Sequence, residues 1–253
     1  MPLETILNKN ATKCHVEYTK TILEAFKKVF KKMTLDKQKK KTPVFIGITG
    51  THCVGKTTLA EKLTAIANER GLKATTLEEV VRKVAELNDP KFKIHGEQTI
   101  YATNLIIKKQ IEYENELLTS DYDIVFCDRT VIDPLYYFFT ITKNEKKLND
   151  FLDSKTVDGL EICNVFDANR EMFMRYQDII YVKLGTHYAL QDDLDNDGFR
   201  DTDLTFRLKV QDTAKKILST LTVRTPLTHY ALTIPLDNDR YYNNLLDDII
   251  YVY

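Results

Sequence analysis

The chain has 253 residues, 43% hydrophobic and 29% charged, which is the balance of an ordinary globular protein and leaves room for one α/β domain with accessories. Residues 1–41 hold eleven lysines and four acidic residues, a net charge of +7, so the rest of the chain carries −8 because the total is −1. Residues 42–253, with this net negative charge, offer no electrostatic attraction for a long nucleic acid, so only the N-terminal segment could bind one in that way.

The cysteines indicate the compartment. They are widely spaced and contain no C-x-x-C pair, which disfavours both a zinc site and a disulfide framework. We therefore expect a reduced, cytoplasmic protein. We also expect no membrane association, because no apolar run approaches the ~20 residues that a transmembrane helix needs, and the N-terminal residues resemble neither a signal nor a transit peptide.

The first predicted element is a helix over residues 16–33. Its apolar residues recur at intervals of three and four, which predicts an amphipathic helix with a lysine-rich outer face. A polar link follows and ends at Pro43. We assign residues 1–42 to a basic helical extension and linker. We expect this extension to pack on the domain or on the partner subunit of a homodimer, and contact with nucleic acid is the alternative.

Residues 43–253 are predicted to form one domain in which short apolar runs alternate with helical patterns. The predicted strands are VFIGIT (44–49), LKATTLE (72–78), YDIVFCD (122–128), DIIYVKL (178–184) and YALTIPL (230–236). Helical patterns fill 56–69, 78–87, 96–118 and much of 134–176. Strands separated by helices predict a three-layer α/β/α fold with a mainly parallel, five-stranded sheet.

A phosphate-binding loop lies between the first strand and the first helix of this domain. The string GTHCVGKT matches G-x-x-x-x-G-K-[ST] completely, and its strand-before, helix-after setting is the one that the motif requires. Lys56 is expected to contact the β- and γ-phosphates of ATP, and Thr57 to bind Mg²⁺. His52 is interpreted as a contact residue or bystander and Cys53 as an apolar filler. The predicted nucleotide-binding residues here are Gly50, Thr51, His52, Cys53, Val54, Gly55, Lys56, Thr57 and Thr58.

A second polar position ends the third strand, in the string CDRT. Asp128 is predicted at the carboxyl edge of the sheet, where it can hold Mg²⁺ or orient an attacking hydroxyl. Arg129 suits a bidentate contact with a phosphate or a developing charge, although a simple Asp–Arg strand cap is the alternative. The chain lacks N-K-x-D, and no second acid follows Asp128. Both absences disfavour a GTPase or a machine-like ATPase.

These strings resemble the P-loop nucleoside and nucleotide kinases, above all the nicotinamide riboside kinase-like family and the thymidylate kinases. The resemblance rests on GITGTHCVGKTTL, on the E-x-x-R pair Glu79 and Arg82, on Gln and Glu positions between Gln98 and Glu114, on CDRTVIDPLYY and on GFRDTDLTFR. It covers about residues 43–245 and implies ATP- and Mg²⁺-dependent phosphorylation of a nucleoside, a nucleotide or a related small molecule.

The resemblance also implies a role for each matching position. Asp128 becomes the catalytic or Mg²⁺-linked acid, beside the catalytic Lys56, while Arg129 acts on the acceptor side. A mobile helical lid would carry Arg200 and Arg207 and close on the phosphates, with Arg200 acting in catalysis. Further substrate-binding residues would be Glu79, Arg82 and Arg207, and Arg240 would contact the donor base.

The acidic string over 193–204 permits another interpretation. It fits the start of a calcium loop, D-x-[DN]-x-[DN]-G, but Leu204 occupies the twelfth position where a bidentate Glu is needed, so the lid is preferred. Tyr101, Tyr136 and Tyr137 are candidates to line an acceptor pocket, with core packing favoured for the last two.

Alternatives to the small-molecule kinase are a polynucleotide 5′-kinase that uses the basic extension, and a nucleotide-dependent switch or scaffold with slow hydrolysis.

Overall fold

The computed structural model describes residues 42–87, 89–94, 97–152, 157, 175–184, 203–224 and 228–232. Its strands are β1 (Val44–Thr49), β2 (Ala74–Leu77), β3 (Ile124–Asp128), β4 (Tyr176–Val182) and β5 (Thr228–Leu232). Its helices are α1 (Lys56–Glu69), α2 (Val80–Ala85), α3 (Ile100–Leu118), α4 (Asp133–Thr142), α5 (Glu145–Leu152) and α6 (Leu204–Arg224). Residues 1–41 of the predicted extension, residues 193–202 of the acidic string, and Arg240 lie outside the described residues, and so Arg200 does too.

The strands form one sheet in the order β2-β3-β1-β4-β5, and every neighbouring pair is parallel. β2 and β3 lie on one side of the central strand β1, and β4 and β5 lie on the other, so the strand order reverses at β1. In α/β proteins, ligands bind at the carboxyl ends of the strands where the order reverses in this way. Ile48 of β1 lies opposite Asp128 of β3, so both strands end at the same edge. The predicted α/β fold with a parallel sheet is confirmed.

Side chains of the central strands alternate between two buried clusters, one on each face of the sheet. Ile46, Ile48 and Phe126 pack with Leu59 and Leu63 of α1 on one face. On the other face, Phe45, Val125 and Ile179 pack with residues from α2 to α6. This period of two, with both faces covered, explains why β1 and β3 are apolar up to their last residues rather than amphipathic.

The helix bounds follow local signals. Helix α1 ends before Gly71, whose φ of 81° is left-handed, as the glycine stop predicts. Helix α3 begins four residues later than the predicted range because Thr99 caps it, accepting a hydrogen bond from the Ala102 amide at 3.1 Å. Helix α6 is a difference from the sequence analysis, which placed Arg207 in a mobile lid and assigned no long helix to residues 204–224.

No helix among the described residues is long and apolar enough to cross a membrane.

Candidate active site

The phosphate loop keeps its shape through glycines that no other residue can replace without strain. Gly50 has a φ of 149°, and a Cβ built on it would stand 2.3 Å from the carbonyl oxygen of Val182 on β4. Gly55 caps helix α1 with a φ of 84°. Cys53 is left-handed too, at φ 55°, while Val54 is fully buried and anchors the loop in the core. The loop backbone is therefore built to surround a phosphate, as the motif predicts.

Lys56 is a buried cation with few competing partners. Its ammonium donates to the carbonyl oxygen of Thr51 at 2.6 Å, and only 6% of the residue is exposed. Burial, together with the charge of Arg129, lowers the pKa of Lys56 to about 8, although Asp128 and Glu79 act in the opposite direction. A cation held at this cost near the loop mouth is well suited to an incoming phosphate, which supplies the missing negative charge.

Thr57 and Asp128 place oxygen atoms beside Lys56. The Thr57 hydroxyl donates to Asp128 Oδ2 at 2.5 Å, while the buried Oδ1 of Asp128 has no hydrogen-bond partner in the described part of the chain. Burial raises the pKa of Asp128, opposed by the charges of Lys56 and Arg129. An unpaired buried carboxylate oxygen beside a hydroxyl fits Mg²⁺, which prefers oxygen donors.

Protein side chains alone do not complete a metal site here. Within the described ranges, no group of three or more His, Cys, Asp or Glu side chains could hold an ion. Mg²⁺ bound by Thr57 and Asp128 would take its remaining ligands from water and from the phosphates of a nucleotide, which is its usual arrangement in phosphotransfer proteins.

Arg129 lies at the centre of a charged cluster next to the loop. Its guanidinium pairs with Glu79 through Nε, and its Nη1 lies 3.5 Å from Asp133 Oδ1 and 3.2 Å from the Tyr137 hydroxyl. Its Nη2 is 3.4 Å from Nδ1 of His52, in the phosphate loop. Burial alone would raise the pKa of Glu79, but the charges of Arg129 and Lys56 and the hydrogen bonds from arginine hold it well below its usual range. Glu79 and Arg129 thus remain ionised together.

Asp133 joins this cluster to the end of β1. Its Oδ2 accepts from the Thr49 hydroxyl at 2.8 Å, and from the amide and hydroxyl of Thr130 at 2.9 and 2.7 Å. It lies in the first turn of α4 and is 1% exposed. One carboxylate therefore fixes the loop between β3 and α4 against the strand that leads into the phosphate loop.

A pocket opens on the other side of Arg129. Its walls come from α2, α3, α4, the phosphate loop and the start of α6, and most of its lining is apolar. Among its polar lining residues, Glu79, Asp133 and His52 all contact Arg129. The lining residues are His52, Glu79, Val80, Val81, Ile94, Gln98, Ile106, Gln110, Arg129, Thr130, Asp133, Pro134, Tyr137, Ile141 and Phe206. Such a mainly apolar cleft with a few convergent polar groups is typical of a small-molecule site.

Five of the predicted site residues lie close together in the structure, and the others do not join them. Lys56, Thr57, Asp128, Arg129 and Glu79 come together around the loop and the pocket, as described above. Thr57 and Thr58 are exposed, as expected of residues at the mouth of the loop. Arg82 does not line the pocket; its Nε donates to Glu79 Oε2 at 3.0 Å.

Arg207 and the tyrosines differ more from expectation. Arg207 lies within α6 and is 2% exposed, with Nη2 3.4 Å from the carbonyl oxygen of Cys53, so it contacts the loop backbone directly. Tyr137 lines the pocket, whereas Tyr136 is a core residue. Tyr101 is 44% exposed and donates to Asp89 at 2.5 Å, away from the pocket lining.

Sequence reasoning quoted two further polar positions but assigned neither of them a role. Asp133 stands in the quoted DRTVID string, but its spacing from Arg129 says nothing of Thr49, which is 84 residues away. Gln98 is buried, donating to Thr103 Oγ1 at 3.0 Å and to the carbonyl of Pro134 at 2.8 Å. Gln98 precedes the cap of α3 among polar residues, so the sequence alone does not indicate that its amide is buried.

Comparisons with known proteins identify a family and a similar solved structure. No curated protein matches the sequence. The chain is similar to the crystal structure of NadR protein in complex with NR, at 15% sequence identity and a TM-score of 0.50, over 83% of this chain and 51% of that chain. The protein thus spans about half the length of that structure, and at this identity the likeness shows a shared fold. A family model described as "AAA domain" matches residues 45–226, well over half of the chain, and the protein therefore belongs to the AAA domain family.

Proposed function

We propose that the protein is an ATP- and Mg²⁺-dependent kinase that phosphorylates a nucleoside, a nucleotide or a related small molecule. One observation carries this proposal: a mainly apolar pocket opens beside the phosphate loop and shares His52 and the Arg129 cluster with it. A protein that only hydrolyses a nucleotide needs no second pocket at this position. The similar solved structure is a complex with NR, so a related fold holds a small molecule.

The donor side follows from the loop. Lys56 would contact the β- and γ-phosphates, and its pKa would rise from about 8 once those charges arrive, because opposite charge favours the ammonium form. Thr57 and Asp128 would hold Mg²⁺, which when bound supplies positive charge to the phosphate oxygens. Arg207 supports the loop backbone through the carbonyl of Cys53.

The acceptor side follows from the pocket. Arg129 presents a fixed guanidinium there, held by carboxylates at Glu79 and Asp133, and the apolar walls suit the face of a base or a similar ring. Asp128, next to Arg129 in sequence, would orient the attacking group toward the γ-phosphorus. Phosphoryl transfer depends on such positioning and on charge stabilisation more than on a nucleophilic side chain, which supports this assignment of roles.

The test is acceptor-dependent release of ADP. The purified protein is given ATP and Mg²⁺ with a panel of nucleosides, nucleoside monophosphates and nicotinamide riboside, and products are identified by mass spectrometry. We expect one panel member to accelerate ADP release, and Lys56→Ala or Asp128→Asn to lower kcat at least ~100-fold. The exposed matched changes Lys216→Ala and Asp121→Asn should retain full activity.

Two outcomes would favour the alternatives. Phosphorylation of oligonucleotides that disappears on deletion of residues 1–41, with no activity on free nucleosides, indicates a polynucleotide 5′-kinase. Slow hydrolysis that no acceptor accelerates indicates a nucleotide-dependent switch, and it would contradict the proposal.

A further inference from the structure

The turn that carries Arg129 is strained and held from several sides. Arg129 has a φ of 86°, a conformation that costs a non-glycine residue free energy and persists only where surrounding contacts enforce it. Its amide donates to the Ile48 carbonyl at 2.9 Å, and the Thr130 amide donates to Asp133. Two further backbone groups, the Arg129 carbonyl and the Val131 amide, contact side chains from α3 and β4.

Those two backbone groups meet side chains that converge on one carboxyl group. Gln110 Nε2 lies 3.4 Å from the Arg129 carbonyl and donates to Glu114 Oε1 at 2.8 Å. The Val131 amide donates to the Tyr176 hydroxyl at 3.1 Å, and that hydroxyl donates to the same Oε1 of Glu114. Both contacts on the turn therefore depend on Glu114.

Glu114 is unusual in its own right. It is fully buried in α3 and lies outside the pocket lining, and it is 62 residues from Tyr176 in sequence. Its second oxygen is 3.3 Å from Arg175 Nη1. Burial raises the pKa of Glu114, against the hydrogen bonds from Tyr176 and Gln110 and the charge of Arg175. A buried acid of this kind is costly for stability, so its arrangement calls for a functional reason.

We propose that Glu114 is a positioning residue: acting through Gln110 and Tyr176, it holds the strained turn at Arg129 and so aims the guanidinium into the acceptor pocket. The proposal rests on the kinase function proposed above for its kinetic consequences. Its structural consequence, the conformation of Arg129, does not depend on that function.

Tyr176→Phe is the sharpest test, because it removes one hydroxyl from the relay and leaves the core ring in place. We expect acceptor kcat/KM to fall about 10-fold to 100-fold, since small misplacements of a positioned group have effects of this size, while KM for ATP stays within about twofold. Tyr181→Phe is the matched control: it lies on the same strand and is also buried, but its hydroxyl donates to the Gln211 carbonyl on α6 at 3.2 Å. The control should leave acceptor KM unchanged at a comparable Tm.

Glu114 itself is tested by a conservative change. In Glu114→Gln the amide oxygen still accepts from Tyr176 and Gln110, so we expect acceptor kcat/KM within about threefold of wild type. Glu114→Ala should lose at least as much as Tyr176→Phe. If the alanine variant does not fold, the double variant Glu114→Gln/Tyr176→Phe replaces it, and its loss should be less than the product of the single losses.

Crystal structures of the wild type and of Tyr176→Phe decide the matter independently of activity. We expect Arg129 in the variant to leave the left-handed region or to lose its contacts with Glu79 and Asp133. Retention of that conformation and those contacts would overturn the positioning role, as would equal kinetic effects of the changes at Tyr176 and Tyr181. If the wild type phosphorylates no acceptor, the proposed function fails, and the two structures alone decide the role of Glu114.

Discussion

Replacement of Lys56 by methionine should make the protein more stable while it abolishes activity. The structure holds the Lys56 ammonium in a buried position whose pKa, about 8, lies well below the ordinary 10.5, first because of burial and then because of Arg129. In the absence of a nucleotide, the charged form is therefore unfavourable in the folded protein. Methionine has a similar length and no charge, so it removes that penalty.

The magnitude follows from the shift in pKa. A change from 10.5 to about 8 corresponds to about 3 kcal/mol at 1.36 kcal/mol per unit. Loss of the hydrogen bond from Lys56 to the Thr51 carbonyl offsets about 1 kcal/mol. We expect the free energy of unfolding of Lys56→Met to exceed that of the wild type by about 2 kcal/mol at pH 7, or roughly 4–8 °C in Tm for a protein of this size.

The lowered pKa of Lys56 also predicts how the stability of the wild type changes with pH relative to Lys56→Met. Below about pH 8 Lys56 is protonated in both states, and the penalty is present in full. Between about pH 8 and pH 10.5 the unfolded chain binds the proton and the folded protein does not, so the stability of the wild type rises with pH relative to the variant. The gap between the two proteins should therefore close as the pH rises through this range.

Urea unfolding without nucleotide, from about pH 6.5 to pH 9.5, measures both quantities. Lys216→Met, an exposed change on α6, is the control and should differ little from the wild type in its free energy of unfolding at pH 7. The reasoning is refuted if Lys56→Met is no more stable than the wild type at pH 7, or if their difference is constant over the whole pH range.

Three further changes test the rest of the site. Gly50→Ala places a Cβ 2.3 Å from the Val182 carbonyl, so we expect the free energy of unfolding to fall by at least about 2 kcal/mol in a urea titration; an unchanged midpoint would contradict this. Asp128→Asn should remove the extra thermal stabilisation that Mg²⁺ adds to that by ATP, without lowering the Tm of the nucleotide-free protein, because burial already raises the pKa of this carboxyl; a retained Mg²⁺ effect would count against it as a ligand. Arg129→Lys cannot reach Glu79, Asp133 and Tyr137 together, so acceptor KM should rise about tenfold in steady-state assays, and an unchanged KM would mean that Arg129 does not face the acceptor.

The donor half of the site could be predicted from the sequence because its signals are local. The strand over Val44–Thr49 and the helix over Lys56–Glu69 have the predicted bounds, set by an apolar run, the glycine-rich motif and the glycine at position 71. The position of Asp128 followed from a second apolar run that ends in an acid. In each case a few adjacent residues determine the backbone, and parallel pairing brings the strand ends to one edge.

The acceptor half could not be predicted in the same way, because it depends on contacts between distant segments. His52 was interpreted as a contact residue or bystander, and the structure places its ring 4.7 Å from the ring of Tyr137, on the pocket wall. Helix α6 was not predicted because Arg207 was assigned, with Arg200, to a mobile lid, whereas Arg207 and Phe206 face inward to the phosphate loop and the pocket. Such orientations follow from packing, which residue type and spacing do not specify.

The positions that break local rules nevertheless mark the site. In the described part of the chain, the non-glycine residues with positive φ are Cys53, Arg129 and Lys143. Lys143 follows the end of α4, where a left-handed residue is an ordinary helix stop. The other two lie in the phosphate loop and at the end of β3, next to a lysine that is buried as a cation. A left-handed cysteine and a buried cation each lower the stability of the protein without ligand, so Cys53→Gly should stabilise the fold, as we expect for Lys56→Met. Arg129→Gly should not, because it would leave the carboxylates of Glu79 and Asp133 without the guanidinium that pairs with them.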